Sequence, residues 1–201
     1  MIISVVGAIG AGKTQQIRDL ASLLTEQGKR VRTVLEPVEK WKRSGLLQSF
    51  YSDPERYAYL FQTTVFNDLV DGMEKALQAW PDVILAERSM ECALIFWGLQ
   101  IKTPQENESY MGIWGKWTKL IPEPSLYVYL DTDNVELLME RIQQRGREAE
   151  TALPREYEEK LVNAHRAKYT KERFGRRILI LPAENATQDN TAEIIKKLQT
   201  L

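Results

Sequence analysis

Short, almost wholly apolar runs recur along the chain at residues 2–6, 31–35, 83–86, 126–130 and 178–181. They are rich in Val, Ile and Leu and too short for stable helices, so each predicts a strand. Longer mixed stretches fill most of the intervals. Residues 14–24, 157–169 and 192–201 predict helices, the last of them closing the chain. Strands that are apolar on both faces and separated by helices require crossover connections. Those build a parallel sheet covered on each side. No repeat, low-complexity tract or Ser/Gly linker interrupts this order, so residues 1–201 predict a single domain. Three segments predict surface loops: 44–54, the stretch around 102–109, and 146–154. The last is charged, contains Gly146 and lies between two helical patterns, which predicts a lid spanning about 145–153.

The first turn carries the strongest chemical signal. Gly7, Ala8, Ile9, Gly10, Ala11, Gly12, Lys13 and Thr14 complete a G-x-x-x-x-G-K-[ST] pattern between a strand and a helix. Glycines allow successive backbone N–H groups to converge on phosphate oxygens. The helix N-terminus adds its positive dipole end, Lys13 reaches the β- and γ-phosphates, and the Thr14 hydroxyl is placed to ligate Mg²⁺. The pattern predicts binding of a nucleoside triphosphate, ATP by expectation, with Mg²⁺. The uses left open are phosphoryl transfer to a small molecule, a GTPase-type switch or a motor ATPase. A guanine-reading Asn-Lys-x-Asp is absent and the chain is short for a motor, so a small-molecule kinase is favoured.

Charge narrows the partners. The 27 Lys and Arg nearly balance 28 Asp and Glu, leaving a net charge of -1. A surface that coats nucleic acid or membrane needs a basic excess, so neither partner is expected. Cys92 is the only cysteine and His165 the only histidine, which excludes an internal disulfide and a usual zinc site. Cys92 reads as a small buried residue and His165 as a surface one. No apolar run approaches the roughly 20 residues of a spanning helix, and the chain opens directly into a strand. A cytoplasmic enzyme is therefore expected.

Two further strands end in carboxylates: Glu36, followed by Pro37 and Trp41, and Glu87, followed by Arg88 and Ser89. Ligands of an open parallel sheet bind beyond the strands' carboxyl ends, so Gly7, Glu36 and Glu87 are expected to share one cleft. Glu87 occupies the usual place of a magnesium-side acid, leaving Glu36 free to take a proton from a nucleophile.

These motifs, in order, resemble the deoxyribonucleoside kinases: GAIGAGKT at 7–14, EPVEKW at 36–41, LQSFYSDPERYAYLFQT at 47–63, ERS at 87–89 and RIQQRGREAETALPREY at 141–157. The resemblance implies a three-layer α/β P-loop kinase with a five-stranded parallel sheet and an Arg-rich lid. It implies a catalytic set of Glu36 as general base on the 5′-hydroxyl, Arg88 beside it, Lys13, and lid arginines Arg141, Arg145 and Arg147. It implies that Tyr51 and Glu150 hold the sugar 3′-hydroxyl, and that Gln62 pairs with the base edge beside Trp41. Thr14 and Glu87 would serve the metal. Where the family has a base-stacking phenylalanine, spacing from Glu87 assigns Trp97, with Phe96 adjacent. The usual Arg-x-Arg-x-Glu-Glu lid reads here Arg145-Gly146-Arg147-Glu148-Ala149-Glu150, keeping only the second acid in place. The resemblance also implies a homodimer through helices near 55–80 and 89–120.

Substrate choice is read from one helix face. Gln62, Val65, Phe66 and Leu69 fall at i, i+3, i+4 and i+7, and Ala93 lies on the helix after Glu87. Family members that take deoxycytidine and purines have an arginine and an aspartate at the places of Leu69 and Ala93. The apolar pair here implies a pyrimidine preference, with thymidine accepted. The alternatives are a nucleoside monophosphate kinase of the thymidylate kinase type, against which Glu36 argues by repelling a phosphate, and a non-catalytic nucleotide sensor.

Overall fold

The computed structural model describes residues 1–147, 150 and 153–200. Five strands, β1 (Ile2–Val6), β2 (Val31–Val34), β3 (Val83–Glu87), β4 (Leu126–Asp131) and β5 (Ile178–Pro182), form one sheet in the order β2-β3-β1-β4-β5. Every pairing is parallel. The five predicted strands are all present, with bounds shifted by at most one residue.

Alternation along the strands sends side chains to two opposite faces. On one, Ile2, Val34, Ile84 and Ala86 pack with Met73 and Ala76 of the long helix α4 (Pro54–Gln78). On the other, Ile3, Val5, Val83 and Leu85 share a cluster with Ile17, Leu20 and Leu24 of α1 (Lys13–Glu26). The sheet thus lies between two helical layers, the three-layer α/β arrangement expected.

Two predicted loops are helices. Residues 44–54 contain α3 (Leu46–Ser52), which follows α2 (Val38–Arg43). Its Leu47 and Phe50 are buried with Trp41 and Phe61, so a tertiary apolar cluster overrides the local Ser and Gly signals. The 102–109 stretch opens α6 (Pro104–Trp117), just after α5 (Met90–Gly98). Thr103 caps α6: its hydroxyl accepts from the Glu106 N–H at 3.2 Å, and the Glu106 carboxylate accepts from the Thr103 N–H at 2.7 Å. This reciprocal box, with Pro104 in the first turn, is a helix start legible in Thr-Pro-x-Glu.

The segment 145–153, expected to form a lid, runs from the last residue of α7 (Val135–Arg145) toward α8 (Arg155–Lys168). Of it, Glu148 and Ala149, which blur the expected register, and Thr151 and Ala152 lie outside the described residues. Gly146 closes α7 at φ +65, a conformation natural to glycine at a helix end. After the short α9 (Lys171–Phe174), β5 leads to α10 (Thr187–Leu198), which begins five residues before the expected 192.

His165 corrects another expectation. It is fully buried on α8, not at the surface, and its ring lies among Phe96, Tyr129 and Tyr169. Its Nδ1 pairs with the Leu161 carbonyl at 2.8 Å and its Nε2 lies 3.4 Å from the Cys92 thiol. Burial, aided by Arg88, lowers its pKa to about 3, so the ring is neutral. Cys92 is buried, as expected.

Candidate active site

The loop joining β1 to α1 is held against the sheet's carboxyl edge. A Cβ at Gly7, where φ is +149, would stand 2.7 Å from the Leu130 carbonyl oxygen, and one at Gly10, φ +81, would stand 2.7 Å from that of Leu138. Glycine is required at both places for space and for backbone conformation. Lys13 crosses the loop, its ammonium donating to the Ala8 carbonyl at 2.8 Å. Burial and the neighbouring Arg88 bring its pKa down to about 8. The Thr14 hydroxyl donates to Glu87 Oε1 at 2.9 Å. Two hard oxygen donors, one at the start of α1 and one at the end of β3, therefore stand side by side. That pair suits a cation whose remaining ligands are water and phosphate, as Mg²⁺ prefers.

Glu36 lies just beyond β2 and meets Arg88, just beyond β3. Arg88 Nε donates to Glu36 Oε1 at 3.0 Å and Nη1 donates to the Gly7 carbonyl at 2.6 Å. The guanidinium also sits 4.4 Å from the centre of the Phe96 ring. Burial pushes the Glu36 carboxyl up, but Arg88 and Lys13 outweigh it and hold the group below its usual range. Glu36 is therefore a carboxylate at neutral pH, free to accept a proton.

A cavity of about 430 Å³ opens from the loop and these two residues toward α4. This is ample for a small ligand. Gln62, Val65, Phe66 and Leu69 all line it, as their helical spacing requires, together with Trp41, Tyr51, Ala93 and Glu150. Gln62 is buried, with its carboxamide at the cavity wall. The Trp41 indole is fixed by its N–H, which donates to Asp68 Oδ2 at 2.7 Å. Tyr51 and Glu150 lie near each other at the cavity wall. Burial pushes the Tyr51 phenol well up, so it stays protonated and can donate. Glu150 accepts from Arg145, and from Arg147 at 3.0 Å.

Two assignments change. Trp97 does not line the cavity. It is 2% exposed, stacks on Tyr110 with ring centres 4.4 Å apart, and donates its indole N–H to Asn107 at 3.0 Å. Phe96, the adjacent residue, faces the cavity instead. Ser89, Ala93 and Phe96 fall at i, i+4 and i+7 from the strand end, a pattern that favours Phe96. Arg141 also stands apart from the other two lid arginines. It donates to the Ala183 carbonyl at 2.9 Å and reaches the Gly10 carbonyl at 3.5 Å, on the loop side of the cleft. Tyr110 of α6 and Arg18 of α1 line the cavity without having been expected. Tyr110 is distant in sequence from every motif and gives no local signal.

The whole chain has recognisable relatives. Residues 3–201 match the family model for deoxynucleoside kinases. A protein of Invertebrate iridescent virus 3 classed among kinases is 34% identical over 179 residues, covering 85% of this chain and 83% of its own. The mitochondrial deoxyguanosine kinase of Xenopus laevis is 30% identical over 197 residues, covering 84% and 73%. The fold is shared with a deoxyadenosine kinase from M. mycoides solved with dCMP and a flexible dCDP as products. That structure covers 100% of both chains with a TM-score of 0.83 at 19% identity.

Proposed function

The chain belongs to the deoxynucleoside kinase family, and on that premise we propose that it transfers the γ-phosphoryl group of ATP to the 5′-hydroxyl of pyrimidine deoxynucleosides, thymidine foremost. The observation that carries the base preference is the α4 end of the cavity. There the buried Gln62 carboxamide, which can both donate and accept, is bordered by Val65, Leu69 and Ala93. Among the described residues, none of the α4 side chains that line the cavity is charged. An apolar wall accepts the thymine methyl, while the amide satisfies the pyrimidine edge.

In this reading Glu36 takes the 5′-hydroxyl proton as the oxygen attacks in line. Arg88 keeps Glu36 ionised and directed at the cleft. Charge on the transferring group is met by Lys13, by the backbone N–H groups of residues 7–14, and by Arg145 and Arg147. Thr14 and Glu87 would hold Mg²⁺, which lowers the charge of the donor phosphates when bound. Tyr51 and Glu150 would hold the 3′-hydroxyl, so the two arginines bound to Glu150 would link sugar recognition to lid closure.

Homodimerisation is part of the same reading. α4 and α6 lie together, tied by the Tyr59–Ser109 hydroxyl contact at 2.7 Å. Leu60 on α4, Met111 on α6 and Leu120 just beyond it are exposed apolar residues suited to a partner copy. Light scattering of the purified chain checks this: twice the chain mass is expected. The reaction itself is checked by ADP release with thymidine against thymidine monophosphate. Turnover with the nucleoside alone is expected, and turnover with the monophosphate alone would assign a nucleoside monophosphate kinase.

A further inference from the structure

Glu158 lies on α8 and is fully buried. Neither carboxyl oxygen has a hydrogen-bond partner among the described residues. An ionised carboxylate in such a place is costly unless cations or donors surround it. The groups that face it come from several elements. They are the backbone N–H of Ile9 in the 7–14 loop, which acts on its charge without completing a hydrogen bond, Lys13 on α1, Arg88 beyond β3 and Arg145 at the end of α7. The phenols of Tyr51 on α3 and of its own neighbour Tyr157 are also close. Burial outweighs the cations and raises the carboxyl to about 7. Ile9, Lys13 and Arg145 also line the cavity, so Glu158 shares its cationic neighbours with the place where the phosphates are read to bind.

We propose that Glu158 is a proton-holding positioning residue of the donor site, its carboxyl taking up a proton when the nucleotide phosphates enter the 7–14 loop and releasing it when they leave. The phosphates bring negative charge next to Glu158 and draw the field of Lys13 and Arg145 onto themselves. Both effects disfavour the carboxylate. The balance is simple: a solvent proton forms the carboxyl O–H bond and no other bond changes. Linkage then makes nucleotide binding weaken as pH rises through neutrality, by roughly five- to tenfold between pH 6.5 and 8 for a single site. The inference rests on reading residues 7–14 as the donor-phosphate site.

The test is titration calorimetry of a non-hydrolysable ATP analogue with Mg²⁺, in buffers of low and high ionisation heat, across that pH range. At pH 8 wild type is expected to take up a large fraction of one proton more than Glu158→Gln, at pH 6.5 at most about a quarter of one, and to show the steeper pH dependence of binding. Equal proton numbers and equal slopes would overturn the inference. Should the glutamine variant fail to fold, Glu158→Leu serves for the calorimetry. Infrared spectra of wild type give an independent measure. A protonated-carboxyl band that grows on nucleotide addition at pH 8 supports the inference, and an unchanged band overturns it. Binding that survives Lys13→Ala would instead overturn the donor-site reading beneath it.

Discussion

At Arg88 the backbone enters the left-handed region, with φ +77, which non-glycine residues seldom adopt. Its N–H still bonds the Val5 carbonyl at 3.0 Å, so the chain leaves the sheet in a sharp turn that points the guanidinium back into the cleft. Strain of this kind persists where surrounding contacts fix it, and here those are Glu36, the Gly7 carbonyl and the Phe96 ring. The pairing of Glu36 with Arg88 leads to the first prediction. Glu36→Gln keeps the shape but cannot take a proton. General-base catalysis is typically worth 10²–10⁴-fold, so kcat is expected to fall by about that much with nucleoside binding kept. Retained turnover with chemistry rate-limiting would contradict the role. Glu158 leads to a second. Its folded-state pKa stands above the ordinary carboxylate value, so the folded protein holds the extra proton between about 4.5 and 7. Its cost to stability is therefore absent below that window and complete above it. Glu158→Leu is expected to raise the unfolding free energy from denaturant titration little at pH 5 and by on the order of 2–3 kcal/mol at pH 8. An equal gain at both pH values would contradict this. Some residue-scale features were legible and others were not. Glu36 and Arg88 follow from their strand-end positions. Trp97 was misplaced because a helix face toward a cleft and a helix face toward an aromatic core have the same periodicity, and His165 because its mostly polar helix turns that one ring into the aromatic core.

Helices α2 to α6 shape the cavity together with Arg145, Arg147 and Glu150. α4 was legible because Gln62, Val65, Phe66 and Leu69 share one face whatever packs on it. α3 was not, because seven residues with no strong helix signal form a helix only through the burial of Leu47 and Phe50. Placing Arg at 69 together with Asp at 93 puts charge into the apolar end of the cavity. That pair of substitutions is expected to reduce kcat/KM for thymidine more than for deoxycytidine, and a larger loss for deoxycytidine would contradict the pocket reading. Arg145 and Arg147 both bind Glu150. Replacing either with Ala is expected to lower kcat far more than it weakens nucleoside binding, as measured by presteady-state turnover beside equilibrium titration. A change confined to nucleoside Kd would place these arginines outside the transition state.

At the scale of the whole molecule, the order β2-β3-β1-β4-β5 puts β1 at the centre, with β3 beside it. The parallel register brings the ends of β1, β2 and β3 level, which is why Gly7, Glu36 and Glu87 meet although they are far apart in sequence. This convergence was legible from the strand pattern alone, as was the five-stranded parallel sheet. The cavity's far wall was not, because Tyr110 reaches it through the packing of α6 on α4. No helix among the described residues is long and apolar enough to cross a membrane. The central claim is that this cleft selects pyrimidine deoxynucleosides for phosphorylation by ATP. It is tested most directly by competition, with thymidine, deoxycytidine, deoxyadenosine and deoxyguanosine mixed in one reaction and the monophosphate products quantified, since product ratios report ratios of kcat/KM. The account predicts thymidine monophosphate in greatest yield, deoxycytidine monophosphate second and purine products minor, with deoxyuridine in a matched run close behind thymidine because a methyl group is worth only ~1–3 kcal/mol. A mixture dominated by deoxyguanosine or deoxyadenosine monophosphate would contradict it.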